Sequence, residues 1–338
     1  MYCKTMNKSD KTWSILHTNI RGLTSKKKSL KTILNQMKPN VVTINEVGLR
    51  KDKKLSLKGY NCYTRNRKTL ENMGGVATAV IDDEKHTTLK IIEGENKDEF
   101  IVSRHGQFQR AVNVINYYGE QESRSDKSEI VEKWARLTKI LKDIEDRDEE
   151  SILIGDLNKL VGNSQSGIKE NNPKVSFGGK LILELLSEGN YFLVNSSDKC
   201  KGGPFTREEP NNPNGKSCLD LTIVSKGLIE YIEELIIDKE RKFTPHRAGK
   251  GKLIYTDHYS LHFIMKGIPL RIPALRKEIS QVIWNTNKPG GWLKYKDSTE
   301  NNAELDRVIE HSDEISSDEM MKKIENITIK IKFQKDEK

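Results

Sequence analysis

Short apolar segments with the pattern of β-strands recur throughout residues 12–266, and this recurrence limits the chain to few kinds of fold. Only three segments between them show the apolar spacing of an amphipathic helix, namely Lys26–Met37, Ile130–Ile144 and Leu181–Leu186. The middle third of the chain is nearly all strand, which excludes a parallel sheet with a helix after every strand. The pattern predicts the α/β class, with two β-sheets packed into a sandwich.

A composition change marks the end of this region. Gly267–Pro273 contains two prolines and a glycine directly after the last strand pattern, so we interpret it as a linker. Helical spacing returns beyond it, and Ser316 with Glu319 forms a capping-box pattern before an apolar stripe. We therefore predict one domain over residues 1–266, followed by a linker and a mostly helical C-terminal tail over residues 267–338.

The charge of the chain is unevenly distributed. The net charge is +9, and residues 267–338 carry as many acidic as basic residues, so the whole surplus lies in residues 1–266. Such a surplus favours a polyanionic partner, although many basic proteins simply solvate their charge. No apolar run reaches about 18 residues, so no transmembrane helix and no membrane partner are predicted. The N-terminus lacks the apolar core of a secretory signal, so we expect a protein that is not secreted.

Carboxylate, amide, phenol and histidine side chains recur at the ends of the apolar strands. A carboxylate inside an apolar run costs on the order of several kcal/mol unless it is paired or bound to a metal. Strand ends from one sandwich converge naturally at one edge, so we expect these side chains to form a single site. The residues are Asn19, Glu46, Tyr118, Asp156, Asn158, Asp220, Asp257 and His258.

These residue types suit the hydrolysis of a phosphodiester. A hard cation such as Mg²⁺ takes one or two carboxylates together with phosphate and water, and Glu46 and Asp257 fit that role. Asp156 is placed to orient or deprotonate the attacking water. Asn158 lies two residues further on, and in an extended segment it would point to the same side and donate to a phosphate oxygen.

Three more residues complete the predicted chemistry. His258 can donate a hydrogen bond to the phosphate, and the carboxylate of Asp220 can hold this histidine in the required tautomer and charge state. The hydroxyl of Tyr118 offers a further donor to the same negative charge. All four cysteines are scattered without a Cys-x-x-Cys pair, so neither a zinc site nor a disulfide framework is predicted.

Six short motifs occur in the order typical of the endonuclease/exonuclease/phosphatase superfamily, which the chain resembles over roughly residues 12–266. Each motif alone is common by chance, whereas the ordered set is specific. The resemblance implies a four-layer α/β sandwich, in which two packed mixed β-sheets are flanked by helices. The motifs are N-x-x-G (Asn19–Gly22), I-N-E (Ile44–Glu46), N-x-I-N-Y-Y-G (Asn113–Gly119), G-D-L-N (Gly155–Asn158), L-D-L-x-I-V-S (Leu219–Ser225) and T-D-H-Y (Thr256–Tyr259).

Within this superfamily the chain looks most like the endonuclease domain of LINE-type (non-LTR) retrotransposons. Gly74–Val80, the stretch that begins at Thr206, and Trp284–Trp292 in the tail carry this resemblance. It implies a DNA endonuclease that depends on Mg²⁺, or on Mn²⁺ in its place, and that nicks double-stranded DNA to leave a 3′-hydroxyl. That hydroxyl would prime reverse transcription by a reverse transcriptase domain of the same polyprotein, acting in the nucleus.

The resemblance also assigns further roles. Abasic-site enzymes of the superfamily tend to carry a metal-ligating aspartate where this chain has Arg21, which leaves Glu46 and Asp257 as the metal candidates. The resemblance favours Asn19 as a residue that orients Asp156 by a hydrogen bond. The loop between Thr206 and Asp220 corresponds to a hairpin that probes DNA shape, so its basic residues are candidates for DNA contact, with an ordinary surface loop as the alternative. These basic residues are Arg207 and Lys216.

Two other functions stay open at the level of sequence. One is a phosphatase or phosphodiesterase of the same superfamily that acts on a lipid or an inositol phosphate. The other is a catalytically inactive module that binds nucleic acid. The basic surplus of residues 1–266 favours DNA over a lipid, and the complete set of acidic residues with His258 favours an active enzyme over an inactive one.

Overall fold

A computed structural model of the protein describes residues 12–50, 53–66, 74–82, 88–93, 100–123, 125–163, 167–168, 173–209, 212 and 215–270. The helical tail and its capping box lie outside these residues, and the division at residue 266 stays a prediction. The part of the chain that the structure describes contains no helix long and apolar enough to cross a lipid bilayer.

Strands dominate the described residues, and the helices are few. Among the described residues, the α-helices are α1 (Leu23–Met37), α2 (Lys127–Glu145) and α3 (Phe177–Ser187), and short 3-10 helices cover Val194–Ser196 and Lys226–Tyr231. The strands are β1 (Thr12–Asn19), β2 (Val41–Asn45), β3 (Tyr60–Arg65), β4 (Val76–Ile81), β5 (Thr88–Glu93), β6 (Phe100–His105), β7 (Val112–Tyr117), β8 (Glu150–Asp156), β9 (Tyr191–Leu193), β10 (Cys200–Lys201), β11 (Arg207–Glu208), β12 (Lys216–Ser217), β13 (Asp220–Ser225), β14 (Ile232–Ile237), β15 (His246–Gly249), β16 (Lys252–Tyr255) and β17 (Leu261–Lys266).

Two mixed sheets form the body of the protein. The first has the strand order β10-β14-β17-β1-β2-β4-β3, and the second has the order β5-β6-β7-β8-β13-β9. In the first sheet β1 runs parallel to β2 and antiparallel to β17, and in the second β8 runs parallel to β7 and antiparallel to β13. Two hairpins, β11-β12 and β15-β16, stand outside both sheets.

Three clusters of buried apolar residues show how the layers are stacked. The core between the sheets joins Ile15 and Phe263 of the first sheet to Val114 and Ile154 of the second. Residues of α1 pack on the other face of the first sheet, and residues of α2 and α3 pack on the other face of the second. The order is therefore helix, sheet, sheet, helices, which confirms the four-layer α/β sandwich.

All three predicted helices are present, and each begins earlier than its apolar spacing indicated. α3 begins at Phe177 because the hydroxyl of Ser176 accepts a hydrogen bond from the backbone N–H of Gly179 at 3.2 Å. Gly179 also lies so close to the carbonyl oxygen of Leu160 that an added Cβ would come within 1.9 Å of it. Capping and close packing set this helix start, and neither leaves a trace in apolar spacing.

Candidate active site

The inner faces of several strands change from apolar to polar toward one edge of the sandwich. Trp13 and Ile15 of β1 belong to the core between the sheets, and His17 and Asn19 follow on the same face of the strand. β8 shows the same change, because its inner face ends at Asp156. We call this edge the polar rim. Its inward side chains, all less than 2% exposed, are His17, Thr43, Asn19, Asn45, Asp156 and Asp220.

Two carboxylates face each other at the centre of the polar rim. Asp156 and Asp220 are direct cross-strand partners of β8 and β13. Like charges directly opposite each other on paired strands are destabilising, and a nearby positive charge offsets their repulsion. His258 supplies that charge: its Nδ1 lies 2.8 Å from Oδ2 of Asp220, and its Nε2 lies 3.7 Å from Oδ2 of Asp156. The structure therefore brings together three of the residues that the sequence assigned to catalysis.

The ionisation of this trio follows from its burial and its charges. Burial raises the pKa of Asp156 to about 7, an effect that the nearby Asp220 and Glu46 increase and His258 opposes. Burial alone would lower the pKa of His258, but Asp220 and Asp156 raise it to about 9. Burial would likewise raise the pKa of Asp220, but the charge of His258 and hydrogen bonds from His17 and His258 lower it. His258 is thus an imidazolium beside an ionised Asp220 at neutral pH.

Asn19 joins this trio to a third carboxylate. Its Nδ2 donates to Oδ2 of Asp156 at 2.8 Å and to Oε1 of Glu46 at 3.0 Å. The hydroxyl of Tyr118 also donates to Oε1 of Glu46, at 3.1 Å. Glu46 has a left-handed backbone with a φ of 51°, which is costly for a residue with a Cβ and is often found at functional sites. The predicted contact between Asn19 and Asp156 is present.

Asp257, a predicted metal ligand, has two arginine partners. Its Oδ1 accepts a hydrogen bond from Arg21 at 3.0 Å, and its Oδ2 accepts one from Arg207 at 2.9 Å. Burial would raise the pKa of Asp257, but His258 and the two arginines lower it. Asp257 lies beside the trio as predicted, with both of its oxygens engaged by guanidinium groups. Its role as a metal ligand stays a prediction.

Asn158 reaches the site in a different way from the one the sequence indicated. The expectation of an extended segment is wrong, because β8 ends at Asp156 and Asn158 has a left-handed backbone with a φ of 52°. Its backbone N–H donates to Oδ1 of Asp156 at 3.0 Å, and its side-chain amide donates to the carbonyl oxygen of Gly119 at 2.9 Å. Asn158 therefore fixes the end of β8 beside the site.

The two basic residues predicted to contact DNA lie on the β11-β12 hairpin. The backbone of Arg207 forms an isolated β-bridge with the backbone of His258, and Nε of Arg207 donates to Oδ2 of Asp257. Arg207 therefore belongs to the site itself. Lys216 pairs instead with Glu208 of the same hairpin at 3.3 Å and lies over the ring of Phe205. The hairpin thus has one basic residue at the site and one on its own surface.

Sequence reasoning did not single out His17, Asn45 or Thr206. Nε2 of His17 lies 3.2 Å from Oδ1 of Asp220, and Oδ1 of Asn45 accepts from the backbone N–H of Asp156 at 2.8 Å. The hydroxyl of Thr206 accepts from the backbone N–H of Asp220 at 2.9 Å. The alternation of a strand could have indicated His17, because it lies two residues before Asn19 and so shares its face.

The donor set of the polar rim fits a hard divalent cation. Carboxylates of Glu46 and Asp156 are both held by Asn19, and oxygen donors of this kind suit Mg²⁺ or Mn²⁺. Burial is the main cause of the raised pKa of Asp156, and the negative charges of Asp220 and Glu46, which a cation would balance, add to it. The ligand atoms of Asp156, Asp220 and His258 also lie within 4.8 Å of one another. An imidazolium that donates to Asp220 cannot bind a metal, so the Glu46 side of the rim is the better cation site.

No protein-family model matches the chain, and no curated protein matches it either. Solved structures do match. The catalytic domain of APE2 from Xenopus laevis is 15% identical, with a TM-score of 0.59 and coverage of 75% of this chain and 91% of that one. The 3′ phosphatase NExo from Neisseria, bound to a product DNA hairpin, is 16% identical, with a TM-score of 0.56 and coverage of 74% and 98%.

The endonuclease domain of TRAS1, a telomere-specific non-LTR retrotransposon, is 16% identical, with a TM-score of 0.51 and coverage of 77% of this chain and all of that domain. A match described as an endonuclease/exonuclease/phosphatase family protein, from Leptotrichia buccalis, has a TM-score of 0.51. The chain has the endonuclease/exonuclease/phosphatase fold. The predicted resemblance to this superfamily is confirmed at the level of the fold, and this fold places the polar rim at one end of its two sheets.

Proposed function

We propose that the protein is a metal-dependent DNA endonuclease. The observation that carries the proposal is the buried arrangement of Asp156, His258 and Asp220, joined through Asn19 to Glu46 at one edge of the sandwich. Solved proteins of the same fold include a retrotransposon endonuclease domain and an enzyme bound to product DNA. The basic surplus of residues 1–266 supports an anionic polymer as the substrate.

The side chains of the rim divide the reaction between them. Asp156 accepts a proton from the attacking water as the oxygen of that water bonds to phosphorus. The bond from phosphorus to the 3′-oxygen breaks, and this oxygen takes up a proton to become the 3′-hydroxyl. His258 donates from Nε2 to a phosphate oxygen, while Asp220 holds Nδ1 and stabilises the imidazolium. Arg21 and Arg207 add positive charge beside the phosphate.

Glu46 would hold the metal ion, and the amide of Asn19 orients its carboxylate relative to that of Asp156. Bound Mg²⁺ or Mn²⁺ would supply positive charge that stabilises the negative charge developing on the phosphate. Tyr118 fixes the orientation of the Glu46 carboxylate through its hydroxyl. Asp257 is already neutralised by two arginines, so it contributes by fixing them more than by binding the ion.

We also propose that the nick serves target-primed reverse transcription, with a reverse transcriptase of the same polyprotein as partner. The TRAS1 endonuclease domain, all of which is matched by this chain, supports this proposal. A second candidate is a DNA 3′-phosphatase, because the chain is also similar to a 3′ phosphatase bound to a DNA hairpin. The rim chemistry is the same in both, and the substrate distinguishes them.

Nicking of supercoiled plasmid tests the proposal. We expect conversion to open circles with Mg²⁺ or Mn²⁺ and none with EDTA, and we expect polymerase extension from the nick, which requires a 3′-hydroxyl. Asp156→Ala and His258→Ala should each lower the rate by about 10²–10⁴-fold, because the first removes the proton acceptor and the second removes the cationic donor to the phosphate. Asp143→Ala on the exposed surface of α2 is the matched control and should keep the wild-type rate.

A folded wild-type protein that fails to nick in the presence of metal would overturn the endonuclease. Hydrolysis of a DNA hairpin with a 3′-phosphate, and of an inositol polyphosphate, then tests whether the protein is a phosphatase. Release of inorganic phosphate from the hairpin, lost in His258→Ala, would establish the second candidate.

A further inference from the structure

A second histidine contacts the carboxylate that holds His258. Oδ2 of Asp220 lies 2.8 Å from Nδ1 of His258, and Oδ1 of the same carboxylate lies 3.2 Å from Nε2 of His17. Both His17 and Asp220 are 0% exposed. We propose that His17 is a positioning residue, which fixes Asp220 so that His258 directs Nε2 toward the reacting phosphate. This inference rests on the proposed hydrolysis at the same site.

The contact crosses the boundary between the two sheets. His17 is on β1 of the first sheet, whereas Asp220 begins β13 of the second. On the other side of the ring, Nδ1 of His17 lies 3.0 Å from the hydroxyl of Thr43, its cross-strand partner on β2. His17 is therefore held by its own sheet and reaches across to the carboxylate of the other.

The hydrogen bonds from Thr43 through His17 and Asp220 to His258 allow one consistent assignment of donors and acceptors. A carboxylate only accepts hydrogen bonds, so His17 donates from Nε2 and His258 donates from Nδ1, and each oxygen of Asp220 is occupied. The Nδ1 of His17 then accepts from the hydroxyl of Thr43. Hydrogen bonds linked in this way polarise one another in a buried site. The Thr43–His17–Asp220 relay therefore ends at His258, on the nitrogen opposite the one that faces Asp156.

The backbone of Asp220 is held by hydrogen bonds on both sides, so only rotation about its side-chain bonds can move the carboxylate. Its backbone N–H donates to Thr206, and its carbonyl oxygen accepts from Asn195 at 3.2 Å. Without His17, Oδ1 would be a buried acceptor with no donor, and the carboxylate could rotate toward Asp156 or away from His258. Misplacement of the imidazolium would slow the chemical step while leaving the contacts that bind DNA unchanged.

Another buried histidine provides a comparison. His105 is also 0% exposed, and its Nε2 lies 2.9 Å from the hydroxyl of Ser103, while its ring packs against Trp13. The contact with Ser103 gives the buried imidazole of His105 a hydrogen-bond partner and involves no residue of the candidate site. His17 differs because its Nε2–H is given to the carboxylate that holds the proposed catalytic histidine. His105 is therefore the matched control for the loss of a buried imidazole.

Three variants test this proposal. In His17→Leu no side-chain donor is left for Oδ1 of Asp220, whereas in His17→Gln the side-chain amide can still donate to Oδ1 and accept from Thr43. We expect His17→Leu to lower kcat for nicking by about 10–100-fold with a KM for DNA near the wild-type value. His17→Gln should recover most of the rate, and His105→Gln should keep kcat. Equal kcat values per folded molecule in the wild type and His17→Leu would overturn the proposal.

Proton NMR of the metal-free protein separates this proposal from the nuclease itself. With ¹⁵N-labelled histidine, we expect sheltered ring N–H signals that include one from Nδ1 of His258 and one from Nε2 of His17, and these two are followed. His17→Leu should remove one and shift or broaden the other, and His105→Gln should change neither. A His258 signal that is identical in His17→Leu would overturn the positioning role even if the wild type nicks DNA. Absence of nicking with both signal changes present would instead overturn the endonuclease alone.

Discussion

The side chain of Asn45, on β2 of the first sheet, forms a hydrogen bond to the end of β8 in the second sheet. Its Oδ1 accepts from the backbone N–H of Asp156, and its Nδ2 donates to Oδ1 of Asn116, both at 2.8 Å. Asn45→Ala leaves a buried donor and a buried acceptor without these partners, each costing about 1–3 kcal/mol. We expect the free energy of unfolding to fall by about 2–4 kcal/mol, measured by urea denaturation, and nicking to slow because Asp156 loses its anchor.

Asn61→Ala is the control for this substitution, because the exposed amide of Asn61 contacts only the exposed Asp82 among the hydrogen bonds found in the described residues. Its effect should stay within about 0.5 kcal/mol. A change of less than about 1 kcal/mol in Asn45→Ala would show that water or a local shift replaces the lost bonds.

Single residues of the rim differ in how well the sequence indicates them. Asp156, Asp220 and Glu46 were predictable because a carboxylate at the end of an apolar strand requires a partner. Asn158 was predicted to lie near Asp156 for the wrong reason, since the backbone after β8 is not extended. Strand alternation could have placed His17 on the face of Asn19, but its role could not be assigned without the second sheet, because its partner Asp220 is 203 residues away in the sequence.

β17 occupies a central position in the first sheet, between β14 and β1. Its inner face packs in the core, whereas His262 points to the other face beside the ring of Phe243, with ring centroids 6.0 Å apart. Burial lowers the pKa of His262 from 6.5 to about 4, and Nε2 has no hydrogen-bond partner within the described residues. The unfolded chain therefore binds this proton more readily than the folded protein does.

That difference makes the packing of β17 sensitive to acid. The pKa of the folded state lies below that of the unfolded state, so stability is lost as the pH falls from about 6.5 toward 4. Between about pH 7.5 and pH 5 we expect His262 to account for about 1–2 kcal/mol of the decrease in unfolding free energy. His262→Gln should remove that part in urea denaturation at both pH values. An unchanged pH dependence in the variant would contradict this assignment.

Elements as wholes were predicted where the signal lies in apolar spacing. The three helices predicted within residues 12–266 and the long central strands have that spacing, and all of these were found. β3, β10, β11, β12, β15 and β16 were not predicted as strands: the last five are two to four residues long, and β3 is largely polar. Their positions depend on contacts from distant residues, such as the hydroxyl of Ser29 on α1, which lies 3.1 Å from Nδ1 of His246.

At the scale of the whole molecule, part of the exposed basic charge lies on the β15-β16 hairpin. The β15-β16 hairpin packs against α1, and its exposed basic residues include Arg247 and Lys252. Burial lowers the pKa of Lys26 on α1, and the charge of Arg247 lowers it further, whereas Glu46 and Asp257 oppose the shift. The charge of Arg247 on the hairpin therefore acts on Lys26 together with the charges of Glu46 and Asp257 at the candidate site.

We expect the paired substitution Arg247→Gln and Lys252→Gln to weaken DNA binding and to reduce its dependence on salt. Each lost phosphate contact lowers the slope of log K against log salt by about 0.9. Fluorescence anisotropy between about 50 and 200 mM KCl, in a His258→Ala background that cannot cleave, measures this slope. Lys139→Gln with Lys142→Gln on the exposed surface of α2 removes the same charge and should leave the slope unchanged, because α2 covers the other sheet. Equal slopes in both double variants would mean that net charge, rather than this hairpin, attracts the DNA.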